Sequence, residues 1–197
     1  MNIFAKWQIR HAGLFTFAQS PKNVRLYQKF GFWPRFLTAI MSKPVSLQSI
    51  PEQEPPMDIK WTRYSKLTSS LNRQKAIEVC RDLTDMLYPG LDLRKEIYSV
   101  EKQRLGDTIL IYDKSNNLYD ADDDDSDDHA STLIGLAICH CGPRTEAESG
   151  TCYIKFGAIR PAENASTYFD YLLDVCESYA KIQGLSRIVG GSKYSPS

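Results

Sequence analysis

The sequence predicts an α/β (α+β) chain built on a mixed, mostly antiparallel central sheet flanked by helices. Three observations carry this. Short β-rich runs alternate with segments of helical periodicity, the longest at residues 71–87 and 164–182. The strand candidates between those two helices follow one another without an intervening amphipathic segment, so they read as hairpins. A proline-rich stretch then divides the chain into a short first part and a long second part.

Taken in order, residues 13–18 read as a short strand. Ser20-Pro21 opens a helix, with Ser20 as N-cap and Pro21 at the first helical position. Val24, Tyr27 and Phe30 recur at helical spacing, and Gly31 is placed to end the run in a left-handed conformation. Residues 36–41 read as a buried strand. Pro44, Pro51, Pro55 and Pro56, with polar residues between them, make residues 44–58 a semi-extended linker. After it come a strand at 60–64 and a helix at 71–87 that puts Ala76, Val79, Cys80, Leu83 and Leu87 on one face. Pro89-Gly90 stops that helix, and a second covers 93–105. Strands follow at 108–112, 132–139 and 152–159, then the helix at 164–182, Gly184 as its cap, and a last strand opening at Ile188-Val189. The first part is thus residues 1–43 and the second 59–197.

A length of 197 residues accommodates one good core, or one domain with a sizeable piece of another. The 24 basic and 24 acidic side chains cancel, but they are unevenly placed. No Asp or Glu precedes Glu52, whereas Lys6, Arg10, Lys22, Arg25, Lys29, Arg35 and Lys43 are all basic, which suits a phosphate-bearing ligand or an acidic partner. Five cysteines without framework spacing imply reduced thiols and a cytoplasmic setting, although the acid-free N-terminus is also similar to a mitochondrial presequence. No apolar run is long enough to cross a bilayer, and neither a membrane nor a nucleic-acid partner is implied.

Two eye-catching patterns read as structure. The acidic run from Asp120 to Asp128 lacks the glycine and distal Glu of a calcium loop, so the insert at about 115–131 reads as a solvated, disordered loop. Cys139-His140-Cys141 places two thiols on one face of a strand and the imidazole on the other, which does not close a tetrahedral metal site. No metal is expected, and the thiols read as core. His140 and Glu148 lie near the central strands, where an acceptor site would border, but neither is assigned an acid–base role.

The stretch Leu26-Tyr27-Gln28-Lys29-Phe30-Gly31-Phe32 resembles the C-terminal part of the GCN5-related N-acetyltransferase (GNAT) family, whose usual form is an Asn at a helix start, a Tyr seven residues later and a Gly-Phe pair. Ser20 takes the Asn position. Residues 59–190 are similar to the same family in element order, from its first strand to its fifth. The resemblance implies a tandem layout: the end of one GNAT-like domain, a linker, and a second domain without its C-terminal part. The first part would complete the second within one chain, or by exchange between chains in a homodimer.

The resemblance further implies acetyl transfer from acetyl-CoA to an amine acceptor. Tyr27 would give a proton to the leaving thiolate. Ser20 and Lys22 would lie beside the cofactor, and Arg160 or Asn164 would open the pyrophosphate loop. That loop departs from the family pattern. A frame that opens on Asn164 puts Thr167 and Phe169 where the family has glycines, and one that opens on Arg160 puts Glu163 and Ala165 there. Side chains then fill the space where backbone should approach phosphate. Two functions therefore stay open: an N-acetyltransferase, degenerate or incomplete, and a non-catalytic interaction or structural module.

Overall fold

The structure, a computed structural model, describes residues 20–34, 38–46, 59–113 and 132–193, with a few separate positions before residue 20. The expected strand at 13–18 lies largely outside the described residues, as do the acidic insert and most of the proline-rich stretch. The chain divides into two compact units, residues 1–39 with 192–197 and residues 40–191.

In the first unit, helix α1 (Pro21–Lys29) begins after Ser20, which takes the N-cap place but makes no side-chain capping bond. Its C-terminus closes as a Schellman motif. The Phe32 amide donates to the Tyr27 carbonyl at 3.2 Å and the Gly31 amide to the Gln28 carbonyl at 3.0 Å. Gly31 reaches φ 82°, the left-handed conformation that a side chain would resist.

The second unit is organised on the sheet, whose strands β1 and β6 run past its limits at one end. The elements are β1 (Thr38–Pro44), β2 (Ile59–Arg63), α2 (Ser70–Leu87), α3 (Arg94–Gln103), β3 (Gly106–Asp113), β4 (Thr132–Cys141), β5 (Thr151–Ile159), α4 (Ala165–Ile182) and β6 (Arg187–Lys193). The strand order is β1-β6-β5-β4-β3-β2. The pairs β2–β3, β3–β4 and β4–β5 are antiparallel, whereas β5–β6 is parallel because α4 carries the chain back between them.

Both faces of the sheet are covered. Under α4, Ile109, Ile111, Ile134, Ala137, Cys139 and Cys152 meet Leu172, Val175, Cys176 and Tyr179. Under α2 and α3, Leu110, Leu133, Leu136 and Ile138 meet Ile77, Leu83, Ile97 and Val100. A central strand buried on both sides reads as a continuous apolar run, and β4 is one. Each fully buried aliphatic side chain here contributes roughly 1.5–3 kcal/mol.

Strand β1 runs on to Pro44, past the 36–41 span expected from the sequence, and Val45 after it is buried. Tertiary bonds hold this segment. The Val45 amide donates to the Ser186 carbonyl at 2.9 Å and the Ser46 amide to the buried Glu177 carboxylate on α4 at 3.2 Å. Lys43 Nζ reaches the same carboxylate at 2.5 Å. Among the described residues no helix is long and apolar enough to cross a membrane.

Candidate functional site

Strands β5 and β6 pair only from Thr151 opposite Arg187 to Ile154 opposite Gly190. Beyond that point no β6 residue pairs with β5 among the described residues, so within them residues 155–159 have no strand partner on that side. Two glycines stand at the opening, Gly157 on β5 and Gly190 on β6. A Cβ at Gly157 would meet only Ile154 Cγ2, at 3.8 Å, and one at Gly190 would meet Ile154 Cβ at 3.7 Å. The free edge leads directly into the β5–α4 connection and the first turn of α4, which holds no acidic residue. An edge of backbone amides followed by a helix N-terminus suits an extended, amide-bearing ligand with a phosphate at its end.

The connection itself is exposed from Pro161 to Asn164. Arg160 opens it but turns away from it: its amide donates to the Ile134 carbonyl at 2.8 Å, and its guanidinium Nε to the Leu133 carbonyl at 3.1 Å. Asn164 sits at the N-cap of α4 without a side-chain capping bond, and Glu163 beside it is exposed. The other site residues expected from the sequence share α1 and its cap. Ser20 and Tyr27 are half-buried and Lys22 is exposed.

A polar cluster borders the opening on the α3 side of the sheet. At Ile138/Cys139 the β4–β5 register slips by one, since Ile138 faces Phe156 while Cys139 faces Ile154. Lys155 is the bulged residue, and the bulge turns its side chain toward α3. Its Nζ lies 3.1 Å from Glu96 Oε1 and 3.4 Å from Glu146 Oε1. Burial disfavours the Lys155 charge, but the two carboxylates outweigh it and hold the pKa above the ordinary lysine value.

His140 completes the cluster. It is 4% exposed, its Nε2 lies 3.2 Å from Glu96 Oε1, and its partners across the strands are Gly106 and Tyr153. Burial first, then the Lys155 charge, lowers its pKa below the ordinary histidine value, with Glu96 opposing. The sequence singled out His140 in its Cys-His-Cys run but gave no sign of Glu96 or Lys155, whose link to it depends on the bulge. Glu148, by contrast, pairs with Arg187 at the far end of the strands.

On the opposite face Cys139, Cys141, Cys152 and Cys176 gather under α4. Cys141 and Cys152 are cross-strand partners, and Cys139 Sγ lies 3.9 Å from Cys176 Sγ. The Cys152 thiol pulls the Cys139 pKa down, but Cys176 and burial carry it well above the ordinary value. Cys141 is raised by Cys152 and by burial, and burial alone pushes Cys80, under α2, up to about 12. Protonated thiols are poor nucleophiles and poor ligands. Among the described residues no group of three or more His, Cys, Asp or Glu side chains is placed to hold a metal ion.

No protein-family model matches the sequence. No curated protein matches it either. Among solved structures it is similar to the crystal structure of a GCN5-related N-acetyltransferase from Sphaerobacter thermophilus, with 14% identity and a TM-score of 0.54, over 90% of this chain and 49% of that one. The chain thus spans about half the length of that structure. At this identity the likeness is one of fold: a six-stranded, mostly antiparallel sheet flanked by helices, with a GNAT-like arrangement.

Proposed function

We propose that the chain is an acyl-CoA-dependent N-acetyltransferase of GNAT type, using acetyl-CoA as co-substrate and an amine as acceptor. The observation that carries this reading is the parting of β5 from β6 after Ile154 and Gly190. The pantetheine arm of the cofactor carries two amides and would lie along the free edge of residues 155–159. A Cβ on Gly157 would intrude on that path. The phosphates would meet the first turn of α4, with Asn164 and Arg160 at the two ends of the connection. Tyr27 is assigned as proton donor to the departing thiolate, and Ser20 and Lys22 as cofactor contacts, on the strength of the motif they share.

The same proposal takes residues 1–43 as the end of one GNAT-like domain, 44–58 as linker and 59–197 as a second domain. The presence of β1 in the sheet supports a closer relation between the parts, in which this strand completes the second domain. A homodimer, with this strand exchanged between chains, is the alternative arrangement of the same parts, and the cytoplasm is the proposed setting. The expected outcome is saturable binding of acetyl-CoA in titration calorimetry, lost in Gly157→Val. Absence of binding at high protein concentration would overturn the enzyme reading.

A second reading, a non-catalytic interaction or structural module, is favoured by the loop. Arg160 is spent on the Leu133 carbonyl, and Glu163 stands exposed where phosphate would approach. A rise of several degrees in Tm with acetyl-CoA counts against it.

A further inference from the structure

Among the described residues, the buried side-chain polar atoms with no hydrogen-bond partner are Thr108 Oγ1 and His140 Nδ1. They are neighbours. Thr108 lies opposite Ile138 on β4, two residues from His140, so both side chains stand on the α3 face in diagonal positions of adjacent strands. Thr108 is 2% exposed and His140 4%. Leaving two such groups unsatisfied in one place costs free energy, and a polar site of this kind is where a buried water is held.

The tautomer follows from the partner. A carboxylate only accepts, so the Glu96 oxygen 3.2 Å from Nε2 requires the proton on Nε2. In the neutral ring Nδ1 is then a bare lone pair, facing no donor. A carboxylate that fixes one imidazole nitrogen so that the other can take a proton is the logic of a general-base dyad. The position along the sheet is apt. His140 is the cross-strand partner of Tyr153, and Tyr153 pairs with Val189 one step before β5 and β6 part. His140 thus stands one strand away from the opening, at the level where β5 and β6 begin to part.

We propose that His140, oriented by Glu96, is the proton acceptor for a primary amine bound at the β5–β6 opening, through a buried water shared by His140 Nδ1 and Thr108 Oγ1. This rests on the acetyltransferase reading and assigns it a base. Glu96 and Glu146 supply negative charge for an incoming ammonium, and Lys155 between them limits that attraction. The ammonium gives one proton through the water to Nδ1. The freed nitrogen lone pair forms the C–N bond at the acetyl carbon, the C–S bond breaks, the thiolate takes a proton from the donor assigned above, and the nitrogen's surplus proton restores that donor. The products are an amide, CoA thiol and His140 in its protonated form, which then discharges to solvent.

The groups facing the imidazole are Glu96 from α3, Lys155 from β5 and Glu146 from the β4–β5 loop. Burial and Lys155 hold its pKa down, which keeps the base free at neutral pH.

Nitrogen NMR of the full chain reads the tautomer without any ligand. A protonated Nε2 and a bare Nδ1 are expected, and a crystal structure should show water within hydrogen-bond distance of both orphaned atoms. A proton on Nδ1, or a dry site, overturns the proposal even if acetyl-CoA binds. Activity is then followed as acetyl-CoA consumption with three probes: a peptide N-terminus, a lysine-containing peptide and a linear polyamine. His140→Gln is expected to lower kcat about 100-fold or more with little change in KM for acetyl-CoA, and to remove the acid limb of the pH profile. Glu96→Gln should lower kcat less and move that limb. Unchanged kcat and pH profile in both variants overturn the base assignment. Should acetyl-CoA fail to bind, the acetyltransferase reading falls, and the NMR and crystallographic outcomes still decide whether the dyad and its water exist.

Discussion

The two faces of strand β4 are equally buried and chemically opposite. On the α4 face the protonated thiols of Cys139, Cys141 and Cys152 pack with Cys176, and the buried carboxylates Asp107 and Glu177 are both engaged, Asp107 by Ser65 and Glu177 by Lys43 and the Ser46 amide. On the α3 face, one residue away in sequence, His140 has a charged partner on one nitrogen and none on the other, and Thr108 beside it is also unsatisfied. Polar groups within a core are normally paired, so the face with orphaned atoms is where chemistry is to be sought.

The comparison breaks most completely if the strands themselves are moved apart. Gly106 lies opposite His140 at φ 155°, and a Cβ there would fall 1.9 Å from the Cys139 carbonyl oxygen. Gly106→Ala must push β3 off β4 at the level of both faces. We expect a loss of about 4 kcal/mol or more in urea unfolding, among the largest effects of a single methyl group. A loss below about 1 kcal/mol would mean that the close approach at this point is not needed.

Next in size is a satisfied carboxylate of the α4 face. Lys43→Ala leaves Glu177 buried with the Ser46 amide alone, and because Lys43 is itself more than half exposed should cost about 2 kcal/mol at pH 7. Burial raises the Glu177 pKa, but the Lys43 and Ser46 bonds and the Lys43 charge outweigh it and set the net value below the ordinary 4.5. The contribution is therefore present above the unfolded value and lost as pH falls through the folded one. The gap between wild type and Lys43→Ala should narrow below about pH 4.5, as chemical denaturation over pH 3–7 would show.

These two examples mark what the sequence could reveal. Helices α2 and α4 and strands β3 to β5 were legible to within two residues, because their apolar spacing is set by local periodicity. The end of β1 was not. Proline at 44 signals a linker, but Val45 and Ser46 are held by Ser186 and Glu177, the latter 131 residues away from Ser46 in the chain. The site divides in the same way. The Cys-His-Cys alternation revealed that His140 stands apart from its neighbours, since strand side chains alternate. Its link to Glu96, 44 residues away, was hidden because no local rule pairs them, and the bulge that brings Lys155 in leaves no mark in composition. Arg160 matched one frame of a phosphate loop in sequence, while its Nε bond to the Leu133 carbonyl is visible only in three dimensions.

Exchanging polarity across β4 gives effects that are no larger and more diagnostic. Cys139→Ser replaces a fully buried thiol by a more strongly hydrated hydroxyl, and should cost about 2 kcal/mol. His140→Met removes a ring that is already half unsatisfied and should change stability at pH 8 by less than about 1 kcal/mol. The pH dependence separates them further. The folded pKa of His140 lies below its ordinary 6.5, so on acidification the unfolded chain takes up that proton first. Wild type should lose stability as pH falls from about 7 toward the folded value, and His140→Met should lose less. Equal slopes in wild type and His140→Met would show that the imidazole is not held neutral.

The smallest effect is also the finest test of the orphaned pair. Thr108→Val keeps the shape of the side chain and deletes a hydroxyl that has no protein partner. If Oγ1 is simply unsatisfied, removing it stabilises the fold, by about 0.5–1 kcal/mol, because a buried polar group without a bond is a cost with no return. If Oγ1 and His140 Nδ1 share a water, the substitution takes away one of that water's few ligands, and the gain is offset or reversed. The same loss should then be visible at His140, as a shift in its Nδ1 resonance. We expect this second outcome, with a stability change near zero or slightly negative and a displaced resonance. A clear gain in stability with His140 unmoved would mean that the two atoms are unsatisfied independently, and the α3 face would then differ from the α4 face in packing quality alone.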